Sequence, residues 1–396
     1  MLKHLLAAIA ALSCSTAWVC AQVPESNPSR FPAPSELIKR DASSAYFPIA
    51  VWLQDPRNAP KYKSLGINVY VALWKGPTEA QLEALEKAGM ALICHQNEVG
   101  LKSSHNRIIL GWMHGDEPDN AQSLGAGKGY GPPIPAERIV EDYQRLKEVD
   151  PSRPVMLNLG QGVAWDRWYG RGVRTNHPED YPEYLKGCDI ASFDIYPASH
   201  THRDVAGNLW YVAKGVERLR QWTQGQKPVW SCIECTHIDN PDRKPTVAQV
   251  KAEVWMAIIH GASGLIYFSH EFKPKFIEAG MLADPEMAEG IKGINGQIHE
   301  LAAVLNSRTL SDVATVSSSN GEVPIATMAK RRGNSTYVFT VSMREGATKG
   351  SFQIKGLAPR ARVTVLGEFR TFNAIDGHFE DEFKGYEVHL YRIDAQ

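Results

Sequence analysis

The sequence predicts an α/β fold, a (β/α)₈ TIM-type barrel followed by a small C-terminal antiparallel β-sandwich. Three observations carry this. Eight short apolar runs alternate with amphipathic stretches between residues 47 and 270, a span that suits a barrel of about 250 residues. Most of these runs are continuously apolar, as strands buried on both faces are. From about residue 311 the helical pattern stops, and short β-rich runs separated by Gly and Asn turns replace it.

The first segment, residues 1–21, reads as a secretory signal. Lys3 and His4 precede an apolar stretch over 5–12, and Val19, Cys20 and Ala21 offer a small-residue cleavage site. The stretch is too short to span a bilayer. A lipid anchor at Cys14 or Cys20 is the alternative, but the residues before each Cys fit a lipobox poorly. Residues 22–45 are Pro/Ser-rich and are expected to be a leader. The mature protein is thus expected to be secreted or periplasmic, without membrane insertion.

The barrel is expected over 46–308. Its strand candidates are 47–54, 67–74, 91–96, 109–115, 155–159, 190–196, 229–234 and 265–270. Helical patterns fall at 78–87, 136–149, 205–222 and 246–260, two of them opening just after Pro135 and Pro245. A doubly wound sheet would place a Gly-rich turn after the first strand. The turn there, Asp55-Pro56-Arg57-Asn58, has no glycine. The β-domain is expected over 311–396, with runs at 313–317, 325–330, 336–341, 351–354, 362–366 and 386–392.

Composition narrows the partners. Lys and Arg total 43 against 44 Asp and Glu, so the chain has no general electrostatic attraction for nucleic acid or anionic membrane. Ten Trp are many for 396 residues, and Trp serves both for core packing and for stacking on sugar faces. Beyond the signal, Cys94, Cys188, Cys232 and Cys235 sit in or beside apolar runs. They read as buried thiols or a disulfide. Cys232 and Cys235 have redox spacing, but within a strand pattern rather than at a helix start.

A barrel places its active site at the C-terminal ends of its strands. The fourth run ends in Gly115-Asp116-Glu117-Pro118, and the seventh closes on Glu234. A charged residue ending an apolar strand is costly unless paired or functional. Two carboxylates facing one cleft is what glycoside hydrolysis requires: one protonated to assist the leaving oxygen, one ionised to attack or to activate water. The other reading is that Glu234 forms an ion pair and Glu117 is a loop carboxylate. Tyr196, Trp52, Trp74, Asn158 and Tyr267 also end runs and are expected to touch substrate. Asp194 lies near them, and Trp165, Trp168 and Tyr169 form an aromatic loop after the fifth run. His270 and Glu271 are weaker candidates.

The pattern resembles the clan of retaining glycoside hydrolases built on this barrel, and within it is similar to secreted family 42 β-galactosidases. The resemblance spans roughly residues 47–305. It implies that Glu117 is the acid/base, that Glu234 is the nucleophile, and that the substrate is an oligo- or polysaccharide cleaved without a cofactor. Asp116 departs from the clan, whose Asn-Glu-Pro has an amide that donates to the sugar 2-hydroxyl. An ionised Asp only accepts. Two other functions stay open at this point. One is a carbohydrate-binding barrel without turnover. The other is a metal-dependent hydrolase using His200 and His202, although that pair follows the sixth run instead of the first. Gly125-Ala126-Gly127-Lys128-Gly129 lacks phosphate-loop spacing and reads as a loop.

Overall fold

Eight parallel strands close into a barrel in chain order. They are β1 (Ile49–Trp52), β2 (Val69–Val71), β3 (Ala91–Cys94), β4 (Ile109–Met113), β5 (Val155–Leu159), β6 (Ile190–Phe193), β7 (Val229–Glu234) and β8 (Gly264–Phe268). The computed structural model describes residues 31–38 and 43–394. The expected signal over 1–21 and much of the 22–45 leader lie outside the described residues. Among the described residues no helix is long and apolar enough to cross a membrane.

Period-two alternation sorts each strand into two cores. Ile49, Val51, Tyr70 and Leu92 face outward to the helices, whereas Ala50, Val69, Val71, Ile93 and Trp230 fill the barrel. Trp230 is accommodated because its neighbour is Gly264, where a Cβ would sit 2.4 Å from the indole. Residues 34–37, read in sequence as leader, form a 3₁₀ turn instead. Leu37 is buried in the interior core, so this segment belongs to the barrel.

The helices start where capping chemistry allows. Thr78 and Thr246 each accept from the amide of a Gln three residues on, which returns the bond, and so open helices Glu79–Lys87 and Val247–Ile259. Asp284 accepts from Met287 N ahead of Pro285–Leu305. Helices Ala136–Val149 and Trp210–Trp222 complete the main ring.

The C-terminal domain is one continuous eight-stranded antiparallel sheet, in the order β10-β11-β16-β13-β14-β15-β12-β9. Its strands are β9 (Ala314–Ser318), β10 (Ile325–Arg332), β11 (Ser335–Ser342), β12 (Thr348–Ile354), β13 (Arg360–Val365), β14 (Arg370–Ile375), β15 (His378–Phe383) and β16 (Val388–Asp394). The two end strands come together, so the sheet folds over its own core of Val338, Phe352, Val363, Phe379 and Tyr391. It docks on helix Val247–Ile259, where Trp255 stacks on Phe339 at 5.4 Å. Buried Lys330 donates to the carbonyls of Leu305 and Ser307 at 2.8 and 2.6 Å, closing the end of the last barrel helix. Among the described residues, Cys94, Cys188, Cys232 and Cys235 are free and buried.

Candidate active site

A cleft of about 740 Å³ opens beside the C-terminal ends of β1, β2, β4 and β8. Its walls are aromatic: Trp52, Trp74, Phe268, Phe272 and Phe276. Trp52 is nearly buried, whereas Trp74 is 71% exposed and presents its ring to solvent. The polar lining includes Asp116, Asp55 and Glu278, and among the described residues no Lys or Arg lines it.

β4 delivers Asp116 and Glu117 to this end of the barrel. Glu117 has φ of +43°, a left-handed conformation that a non-glycine residue adopts only when its surroundings impose it. Those surroundings are the turn bonds from Glu117 N to Asn158 O and from Asn120 N to Glu117 O. The side chain is then fixed from two sides. Asn120 Nδ2 donates to Oε2 at 2.8 Å, and Trp168 Nε1 in turn holds the Asn120 oxygen at 2.9 Å. The Glu117 carboxyl donates to Asp194 behind it. Tyr196 donates to Asp194 Oδ2 at 3.1 Å. Asp116 accepts from Asn158 Nδ2 at 2.9 Å, and Asn158 is oriented by Ser192 Oγ at 2.8 Å.

Three carboxyls thus share one end of the barrel. Loss of hydration, then the charges of Asp194 and Asp116, hold the Glu117 carboxyl well above the usual range. Loss of hydration and the Asp116 charge push Asp194 up to about 7. Asp116 opens to solvent through the cleft, yet the walls strip enough water to push it up to about 6. Glu117 is thus favoured to keep its proton beside an Asp116 that is raised less.

Gly160, ending β5, is close-packed on this group. A Cβ there would sit 2.9 Å from Glu117 Oε1 and 2.8 Å from Asn120 Nδ2. Gly160→Ala is therefore expected to displace the Glu117 carboxyl and to lower kcat about 10- to 100-fold. Its thermal unfolding should change little, and comparing kcat with Tm checks both parts. Asp119 anchors the loop beneath by accepting from Gly160 N at 2.9 Å and from Tyr181 OH at 3.0 Å.

Glu234, expected as the partner of Glu117, is not among the residues that line the cleft. Its side chain is wholly buried. Oε1 accepts from Ala198 N at 2.6 Å and Oε2 from Ser199 N at 2.8 Å. Glu253, on the helix after β7, donates its carboxyl proton to the same group. Burial pushes Glu234 up to about 7. These bonds tie the carboxyl to the loop after β6 and to helix Val247–Ile259. Tyr196, expected to touch substrate, is buried and bonded to Asp194.

Tyr267 is also corrected. It lies between the inward-facing Ile266 and Phe268, so it points outward and donates to Asn295 of helix Pro285–Leu305 at 2.9 Å. His200 and His202 pack on Trp165 at 5.7 and 4.7 Å, with His200 held by Gln161. Among the described residues no three His, Cys, Asp or Glu side chains converge as a metal set. His270 lines the cleft, packed in parallel with Phe272 and Phe276.

No protein-family model matches the chain, and no curated protein matches it. Solved structures do. An alpha-amylase from Geobacillus thermoleovorans, complexed with acarbose, is 10% identical with a TM-score of 0.53, covering 88% of this chain and 98% of that one. A candidate alpha-galactosidase from Bacteroides fragilis is 8% identical with a TM-score of 0.51, covering 89% and 80%. At such identities the likeness establishes a shared fold: the eight-stranded parallel barrel with a C-terminal antiparallel sheet.

Proposed function

We propose that this protein is a glycoside hydrolase with Glu117 as its proton donor, acting on a glycan held in the aromatic cleft. The observation that carries this is a pair of consecutive carboxyls, Asp116 in the aromatic cleft and Glu117 held against Asn120 and Asp194, at the strand-end face of a barrel. That combination supplies acid assistance to a leaving oxygen together with stacking surfaces for sugar rings. The amylase and galactosidase of the same fold agree with it. Placement near family 42 rests on residues 115–118, and export, expected from residues 1–21, belongs to the same proposal. The double displacement read from sequence would need Glu234 to open to the cleft, and its bonds to Ala198 and Ser199 weigh against that role.

A panel of aryl α- and β-glycosides and plain polysaccharides tests the reading with the purified protein. Release of aglycone or reducing sugar from at least one is expected. Trp74→Ala should then raise KM several-fold with kcat nearly unchanged, because its exposed ring binds substrate and transition state alike. A folded protein that turns over nothing in the panel overturns the proposal.

A further inference from the structure

We infer that the substrate is a β-linked 2-acetamido sugar and that its own acetamide oxygen is the nucleophile, positioned by Asp116; this rests on the reading that the site cleaves glycosides. Few of the carboxylates near the site are free to attack the anomeric carbon. Glu234 is wholly buried and accepts from two backbone amides and Glu253. Asp194 is buried and bonded to Tyr196 and Glu117. Glu117 is the acid. Of the three carboxylates that line the cleft, Asp55 is paired with Arg57 and Glu278 accepts from the amide of Asp55, which leaves Asp116 as the one adjoining Glu117.

Asp116 is fixed as an acceptor. Asn158 donates to one of its oxygens, and its only other contact of this kind is the amide of Glu117. It follows that Asp116 suits a substrate group that donates. A 2-hydroxyl can donate too, and its bond strengthens as charge develops at C1, but it carries no carbonyl oxygen to attack that carbon. An acetamide N–H gains positive character when its carbonyl oxygen attacks, so its bond to an ionised Asp116 strengthens in the transition state. Asp116 and Glu117 are consecutive, so one backbone turn sets both the proton donor and this acceptor.

The steps balance. The acetamide carbonyl oxygen bonds to C1 as the C1–O bond to the leaving group breaks. The electron pair goes to the leaving oxygen, which takes the Glu117 proton. The resulting cyclic oxazolinium carries its positive charge on the nitrogen whose N–H meets Asp116. Water then attacks C1 and gives a proton to Glu117, the C1–O bond to the acetamide breaks, and the amide re-forms. Attack from the face opposite the leaving group requires nitrogen and leaving group to be trans, hence a β-linkage in gluco- or galacto-configured sugars. Two inversions give retention, with no bond to the protein. The absence of a cationic side chain in the described cleft lining also favours such an uncharged sugar over a uronate.

The test uses paired 4-methylumbelliferyl β-glycosides differing only at C2: N-acetylglucosaminide against glucoside, and N-acetylgalactosaminide against galactoside. One acetamido member should be turned over at least about 100-fold better in kcat/KM than its hydroxyl partner, since the latter lacks the attacking carbonyl oxygen. Asp116→Asn should lower its kcat roughly 10²- to 10³-fold with KM and thermal unfolding little changed. A thiazoline analogue of the cyclic intermediate should inhibit wild type competitively and bind Asp116→Asn more weakly. Preferential turnover of the hydroxyl partner overturns the inference, as does a 2-fluoroglycoside adduct on any carboxylate. In those outcomes glycoside hydrolysis itself stands, whereas a protein inert to every glycoside and polysaccharide removes both.

Discussion

Glu117→Gln is expected to lower turnover of an unactivated glycoside roughly 10³-fold while costing far less on a dinitrophenyl glycoside. The amide keeps the side chain's shape and can still donate to Asp194, so the fold should survive. What it loses is a transferable proton. An alkyl or sugar leaving group needs that proton, whereas a dinitrophenolate leaves nearly unassisted. The pH profile gives a second readout. Glu117 is raised first by desolvation and then by Asp194 and Asp116, so its acid form persists above the ordinary carboxylate range and sets the alkaline limb. Asp116, pushed up to about 6, must ionise and sets the acidic limb. These limbs belong to the coupled carboxyls together. Glu117→Gln should abolish the alkaline limb, and Asp116→Asn should move it to lower pH by removing a like charge. Equal losses on activated and unactivated substrates would show that Glu117 is not the acid.

The barrel was legible because its signal is local. Continuous apolar runs and Thr or Pro helix starts depend on a few neighbouring residues, and they placed all eight strands within a few positions. In the β-domain, β14 and β15 escaped notice because Arg370–Phe383 mixes charges into a solvated hairpin, with Asp376-Gly377 as its turn. Leu37 escaped because one buried side chain in a Pro/Ser-rich stretch leaves no periodicity. At the site, Asp116, Glu117, Asn158, Trp52 and Trp74 could be listed from strand ends. Their partners could not. Asn120 was within reach, three residues after Glu117, but Asp194, Trp168 and Gly160 converge on it only through the closure of the barrel. The direction of Glu234 was hidden for the same reason. Strand position says that a residue ends β7, whereas the loop amides of Ala198 and Ser199 decide where its carboxyl goes.

The second large effect separates those two descriptions of Glu234. If it were the nucleophile, Glu234→Gln would cost on the order of 10⁶-fold in kcat with the fold intact. The structure instead makes it a buried acceptor, so Glu234→Gln should keep activity within about threefold, a near-neutral change in ΔG‡. Glu234→Ala should chiefly lose stability. It strands the amides of Ala198 and Ser199 and the Glu253 carboxyl, each worth about 1–3 kcal/mol when left unsatisfied. Its Tm should fall, and azide should restore nothing. The pair also carries a pH signature. Both carboxyls are raised in the folded protein by burial, Glu234 to about 7 and Glu253 well above its ordinary value. The folded state therefore keeps protons that the unfolded chain releases near its ordinary 4.5. Stability from the pair is full below about pH 4.5 and is lost as pH rises through 7. Glu253→Gln mimics the protonated donor without a proton to release. It should match wild type near pH 4 and exceed it in Tm above pH 7, flattening the decline between. An unchanged slope, together with loss of turnover in Glu234→Gln, would return Glu234 to the cleft and to the chemistry.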